Sequence, residues 1–143
     1  MSIDTDGFVL DARLCADTVP VGELDLCRVL LMNDARFPWL ILVPRRAGTC
    51  ELIDLPVSVQ QRLLVETNRC AHALHALFKP HKLNIAMLGN MVPQLHVHVI
   101  ARFSDDEAWP QPVWGAGEPR RYGGDEAQLR ITALHAALHA HDA

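Results

Sequence analysis

Residues 26–32 (Leu-Cys-Arg-Val-Leu-Leu-Met) and 39–43 (Trp-Leu-Ile-Leu-Val) are short apolar runs, and the stretch 33–38 between them holds Asn33, Asp34 and Pro38. The pair predicts two antiparallel strands joined by a loop. Upstream, residues 8–14 alternate loosely and predict a first strand, while 17–23, with Pro20 and Gly22, predict a loop. From Ser58 the period changes: Leu63, Thr67, Cys70, Leu74, Leu77 and Phe78 recur at helical spacing, which predicts an amphipathic helix. Ser58 and Gln61 stand at capping-box spacing, Asp54 or Pro56 offers an earlier start, and Pro80 bounds the far end.

Residues 82–90 and 94–102 predict two further strands, with 90–93 as their hairpin connection. The Pro-, Gly- and Trp-containing stretch 104–124 keeps no period and predicts an irregular surface segment. A second helix is expected from Asp125 through Leu129, Ile131, Leu134 and Leu138, with Asp125 and Gln128 at cap spacing. Strands first, one long helix, a strand pair and a terminal helix predict an α+β fold, a single domain over residues 1–143 with a mainly antiparallel sheet of about five strands.

Composition narrows the function classes. Half the residues are hydrophobic and 21% are charged, an ordinary globular balance. The formal net charge of −4 argues against a generic nucleic-acid binder, which needs an excess of Lys and Arg to neutralise phosphates. It leaves room for a small phosphorylated ligand held by a few local donors. Cys15, Cys27, Cys50 and Cys70 are scattered without a Cys-x-x-Cys pair and read as reduced thiols. With no signal-like start and no apolar run long enough to span a bilayer, a soluble, cytoplasmic protein without a membrane partner is expected.

The chemistry gathers in Gln94-Leu95-His96-Val97-His98-Val99-Ile100. On a strand, alternate side chains share a face and lie about 7 Å apart, so Gln94, His96, His98, Ile100 and Arg102 are expected together, opposite Leu95, Val97 and Val99. The second set suits burial against a helix, which leaves an amide and two imidazoles presented on the other surface. A half-exposed strand carrying two histidines is the plain alternative. A zinc site using His96 and His98 needs further ligands that the sequence does not obviously supply. His72 with His75, and His135 with His139, have metal-compatible helical spacing but also suit exposed helix surfaces.

The segment 94–100 resembles the histidine-triad (HIT) motif, His-φ-His-φ-His-φ-φ with φ apolar, except that Gln94 stands at the first His. The likeness extends to the paired strands of residues 26–46, the helix from Ser58 and the strand from Lys82. It implies a HIT-like fold and a homodimer, in a branch with Gln-x-His-x-His, similar to diadenosine polyphosphate hydrolase-like members. By that likeness the substrate is a purine nucleotide conjugate such as a dinucleoside polyphosphate, a phosphoramidate or a nucleotide sugar. His96 is the implied nucleophile on the α-phosphorus, His98 a phosphate donor or orienting group, and Asn33 or Asp34 a ribose contact. Asn90 in the loop before the motif and Arg102 on the His96 face are further candidate nucleotide contacts. Neutral imidazole is a competent nucleophile near pH 7, and this scheme requires neither metal nor cofactor.

Gln94 cannot carry a proton at neutral pH, so any proton handling by the first His is lost or reassigned. A nucleotide-binding or sensing protein with little turnover is therefore the other reading. Trp39 stands where several family members carry another His, so two positions near the site differ together. Residues 109–115 (Trp-Pro-Gln-Pro-Val-Trp-Gly) supply either a stacking wall for a purine or an anchor for an irregular segment on the domain or a dimer partner.

Overall fold

A computed structural model describes residues 7–140. The elements are α1 (Ala12–Asp17), β1 (Thr18–Glu23), β2 (Cys27–Met32), β3 (Trp39–Pro44), α2 (Val57–Phe78), β4 (Lys82–Ala86), β5 (Val97–Arg102) and α3 (Glu126–Leu138), with a 3₁₀ turn at Leu52–Asp54. All strand pairings are antiparallel, and the five strands lie in the order β1-β2-β3-β5-β4. The α+β expectation therefore holds.

Two differences from the sequence reading lie at the start of the chain. Residues 12–17 form α1 rather than part of a strand, because the Asp11 carboxylate caps the helix by accepting from Arg13 N–H at 2.8 Å. Residues 18–23 form a strand rather than a loop. Pro20 is tolerated because β1 is an edge strand, and the register shift between Pro20 and Gly22 absorbs the irregularity.

The long helix begins at Val57 behind Pro56, and the Ser58–Gln61 box does not form; a capping box sits instead on the preceding 3₁₀ turn, between Glu51 and Asp54. Lys79 closes the helix in the left-handed conformation at φ 48°, directly before Pro80. β4 ends at Ala86 and β5 starts only at Val97, so the expected short hairpin turn is a longer irregular connection over residues 87–96.

Strand alternation builds two cores. Cys27, Val29 and Leu31 of β2, Leu40 and Leu42 of β3, and Val97, Val99 and Ala101 of β5 meet Leu63, Cys70 and Leu74 of α2 and Ile131, Leu134 and Leu138 of α3. The opposite face carries Leu30, Trp39, Ile41, Val43 and Ile100. Among the described residues no helix longer than α1 covers it; Phe8, Phe37, Val92, Ala108 and Val113 from irregular segments do. Burial on both faces explains why β3 reads as a continuous apolar run. Glu66, only 2% exposed on α2, ties that helix to the start of β2 by accepting from the backbone N–H groups of Leu26 and Cys27, each at 2.8 Å.

Candidate active site

His96 is the last residue of the 87–96 connection, one position before β5, and Leu95 beside it donates its N–H to the Thr49 carbonyl at 2.9 Å. The ring is buried, and its Nδ1 lies 2.7 Å from the Gln94 backbone oxygen. A carbonyl only accepts, so Nδ1 carries the proton and Nε2 keeps its lone pair. His98 lies within β5 opposite Ile41. The Trp39 indole donates from Nε1 to its Nδ1 at 3.0 Å, which leaves the His98 proton on Nε2.

The two rings therefore present complementary nitrogens, one with a lone pair and one with a proton, and their centroids are 4.8 Å apart. The expected spacing along a strand was about 7 Å. That spacing is of positions along the backbone, and the ring centroids lie closer. Burial, and next the neighbouring His96, push the His98 pKa down to about 3, so this imidazole stays neutral around pH 7. Trp114 packs edge-on against His98 at 5.0 Å and against Trp39 at 5.9 Å. The histidine face is thus covered, not solvated, and the 109–115 stretch anchors on the domain through Val113 and Trp114.

A cleft of about 180 Å³ reaches His96 between Glu51, Leu52, Met87, Gly89 and Gln94. The Gln94 side chain is half-buried at its edge and bonds the N-terminal segment: Oε1 accepts from Asp11 N–H and Nε2 donates to the Val9 carbonyl, both at 2.8 Å. Asn90 is exposed in the same connection, next to the lining residue Gly89.

Arg102 shares the face of His98 but closes the far end of β5, with its side chain 2% exposed and paired to Asp106 at 2.8 Å. It also donates to Asn84 Oδ1 and to the Gln111 carbonyl. It is therefore neither a solvated strand-end charge nor free to meet a ligand without exchanging these bonds. Asp106 additionally accepts from the N–H groups of Phe103, Ala108 and Trp109, and these donors with Arg102 hold its carboxyl down to about 2 against the opposing effect of burial, the largest single influence. The pair organises the segment that carries Trp114 over His98.

Asn33 and Asp34 lie at this same end of the sheet, since Pro38 pairs with Ala101. Asn33 accepts from Tyr122 N–H at 2.9 Å. Asp34 is buried, binds the Arg36 guanidinium at 2.8 Å, and accepts from Arg120 N–H. Burial opposes ionisation of Asp34, but the Arg36 and Arg120 hydrogen bonds together hold its pKa below the usual carboxylate range. The two side chains fasten residues 120–122, and Arg36 reaches the Ala116 carbonyl.

The structure thus brings together His96, His98 and Gln94, while Asn33, Asp34 and Arg102 stand further along the sheet. Sequence reasoning missed Asp106, Trp114 as a cover of His98, and the main chain of residues 9–11. Their signals are weak: an Asp four residues after Arg102, one Trp among prolines, and a segment without a motif. Among the described residues, no group of three or more His, Cys, Asp or Glu is placed to hold a metal ion. All four cysteines are free, and no helix among those residues is long and apolar enough to cross a membrane.

This fold and site place the protein in a class. The HIT domain pattern matches residues 14–105, and the chain belongs to the HIT family, a family of nucleotide-binding hydrolases and transferases. A histidine triad protein from Bradyrhizobium japonicum is 48% identical, with a TM-score of 0.89, covering 92% of this chain and 98% of its own. One from Marinobacter aquaeolei is 47% identical, with a TM-score of 0.90, covering 93% of this chain and 97% of its own. A hypothetical histidine triad nucleotide-binding protein from Sulfolobus tokodaii shares the fold at a TM-score of 0.64 and 14% identity, covering 86% of this chain and 85% of its own. No curated protein matches.

Proposed function

We propose that the protein cleaves or transfers the nucleotidyl group of purine nucleotide conjugates, of the dinucleoside polyphosphate or nucleoside phosphoramidate type, through a covalent nucleotidyl-His96 intermediate. One observation carries this reading: the Gln94 carbonyl engages His96 Nδ1, which leaves a lone pair on Nε2 of a ring whose centroid lies 4.8 Å from that of the donor imidazole His98. In the first step the Nε2 pair forms a bond to the α-phosphorus, and the bond to the leaving group breaks with its electrons on that group. The His98 Nε2–H donates to a phosphoryl oxygen as charge builds. Water or another acceptor then displaces His96 and releases the nucleotide. Gln94 supplies no proton, which favours leaving groups stable as anions, such as a polyphosphate chain. Of the four candidate nucleotide residues, the exposed Asn90 remains a proposed contact, while Asn33, Asp34 and Arg102, engaged within the protein, are proposed to act through the segments they anchor.

The test is a turnover screen, by chromatography, of adenosine and guanosine dinucleoside polyphosphates, phosphoramidates and nucleotide sugars. Hydrolysis of one class by the parent and loss of several orders of magnitude in His96→Ala is the expected result. Nucleotide binding without turnover of any class overturns the enzyme reading in favour of a binding or sensing protein. The reading extends to a homodimer: Val57, Leu64, Ile85 and Met87 are exposed around an apolar groove on α2 and the edge strand β4. Light scattering at micromolar concentration is expected to give twice the chain mass of 15.9 kDa; the single-chain mass excludes the dimer.

A further inference from the structure

Gln94 is engaged at both ends. Its side-chain amide pairs in both senses with the main chain of the N-terminal segment, accepting from Asp11 N–H and donating to the Val9 carbonyl, each at 2.8 Å. Its backbone carbonyl meets His96 Nδ1 at 2.7 Å. A primary amide presents donor and acceptor side by side, as a peptide group does, whereas the two nitrogens of an imidazole diverge across the ring. The presence of Gln rather than His at this position thus matches the partner it has, which is a stretch of backbone. Phe8, 4% exposed in the loop-covered core with the Arg28 guanidinium 5.5 Å over its ring, seats the same segment from the other side.

We propose that Gln94 is a positioning residue: it clamps residues 9–11 beside the site, and the clamp holds its carbonyl where the His96 Nδ1–H needs an acceptor. The inference rests on the proposed reaction, whose nucleophile is His96 Nε2. With the clamp open, the carbonyl moves, the His96 ring samples both tautomers, and fewer molecules present an Nε2 lone pair. Substrate affinity is not set by this bond, so kcat falls while KM stays.

The test uses the full chain with three kinds of variant. Gln94→Leu removes the amide, and Gln94→Glu keeps an acceptor for Asp11 N–H but loses the donor to Val9. Asp11→Pro removes the N–H that Gln94 accepts; the φ of −53° at this position suits proline. It is compared with Asp11→Ala, which loses the helix-capping carboxylate equally but keeps the N–H. Readouts are kcat and KM, and the ¹⁵N shifts of the His96 ring, which report the tautomer. The expected result is a fall in kcat of about tenfold in Gln94→Leu, on the scale of one lost neutral hydrogen bond, with KM within about twofold. The His96 ring should pass from a single Nδ1–H tautomer to a mixture. Asp11→Pro should fall relative to Asp11→Ala, and combining it with Gln94→Leu should add nothing further. Should Gln94→Leu fail to fold, Gln94→Glu is read in its place. An unchanged tautomer and kcat, or effects of the two sites that simply multiply, overturns the clamp. If the parent turns over no nucleotide conjugate, the proposed function fails by itself, and the clamp is still decided by the tautomer of His96.

Discussion

The two faces of the sheet are covered by different means. One lies under α2 and α3 and is mainly apolar, with Glu66 of α2 holding the start of β2. The other lies under irregular segments fastened by polar groups, Arg102 with Asp106, Asp34 with Arg36 and the half-buried Gln94 with residues 9–11, over a strand-to-strand bond from Trp39 to His98. The helical face needs only area and shape, since burying apolar surface is non-directional. The other face needs direction, because each buried polar atom requires a partner at a set distance and angle. That directional face is the one that holds His96 and His98. The proposed chemistry therefore sits on the face whose packing is directional, and a cut there is expected to cost both stability and turnover, whereas a cut into the helical face costs stability alone.

Cutting into each face should reveal the difference. Arg102→Ala leaves the Asp106 carboxylate buried without its cation and is expected to cost about 3–5 kcal/mol in urea unfolding. It should also reduce turnover, because the segment carrying Trp114 loses its hub. Leu74→Ala, at a fully buried site on α2, is expected to cost about 2–5 kcal/mol while leaving turnover per folded molecule near the parent's. Equal loss of activity in both variants at equal stability would erase the contrast between the faces.

A pH titration of stability sharpens it. His98 has a folded pKa of about 3 and an unfolded value near 6.5, so the unfolded state binds the extra proton between them. This group thus makes no difference to stability above about pH 6.5 and lowers it as pH falls, by up to about 1.4 kcal/mol per pH unit. In His98→Asn that component of the slope between pH 6.5 and 4 should vanish. A slope identical to the parent's would show that His98 is not held neutral in the fold.

The smallest expected effect is that of Trp39→Phe, which keeps an aromatic ring but removes the donor to His98 Nδ1. Loss of one neutral hydrogen bond is worth about 0.5–1.5 kcal/mol, so turnover should fall by up to about tenfold. The ¹⁵N shifts of His98 should report a mixture of tautomers instead of Nε2–H alone. An unchanged His98 tautomer in this variant would remove Trp39 from the site.

The helix-covered face was legible in the sequence, because its rules are periodic. The spacing of Leu63, Thr67, Cys70 and Leu74 announces α2, and the alternation of Val97 and Val99 against His96 and His98 separates the faces of β5 correctly. The directional face was legible only at its motif. That Arg102 turns inward to Asp106 depends on a turn stitched by three backbone N–H groups, and no hydrophobic period encodes such a turn. Residues 8–14 look like a strand until the Asp11 cap is known, and Pro20 looks like a loop residue until β1 is placed at the edge. Gln94 was recognisable as a departure from the triad. Its partners were not, since they are main-chain atoms more than eighty residues away in sequence.

The central claim is that the directional face exists to present the lone pair of His96 to phosphorus. Rapid quench of the parent enzyme with substrate labelled at the α-phosphate, followed by peptide mapping, tests it most directly. The account predicts an acid-labile, base-stable nucleotidyl adduct on His96 that forms and decays fast enough to lie on the path of turnover. Single-turnover release of the labelled nucleotide with no label ever bound to the protein, or label bound at a residue other than His96, would contradict it.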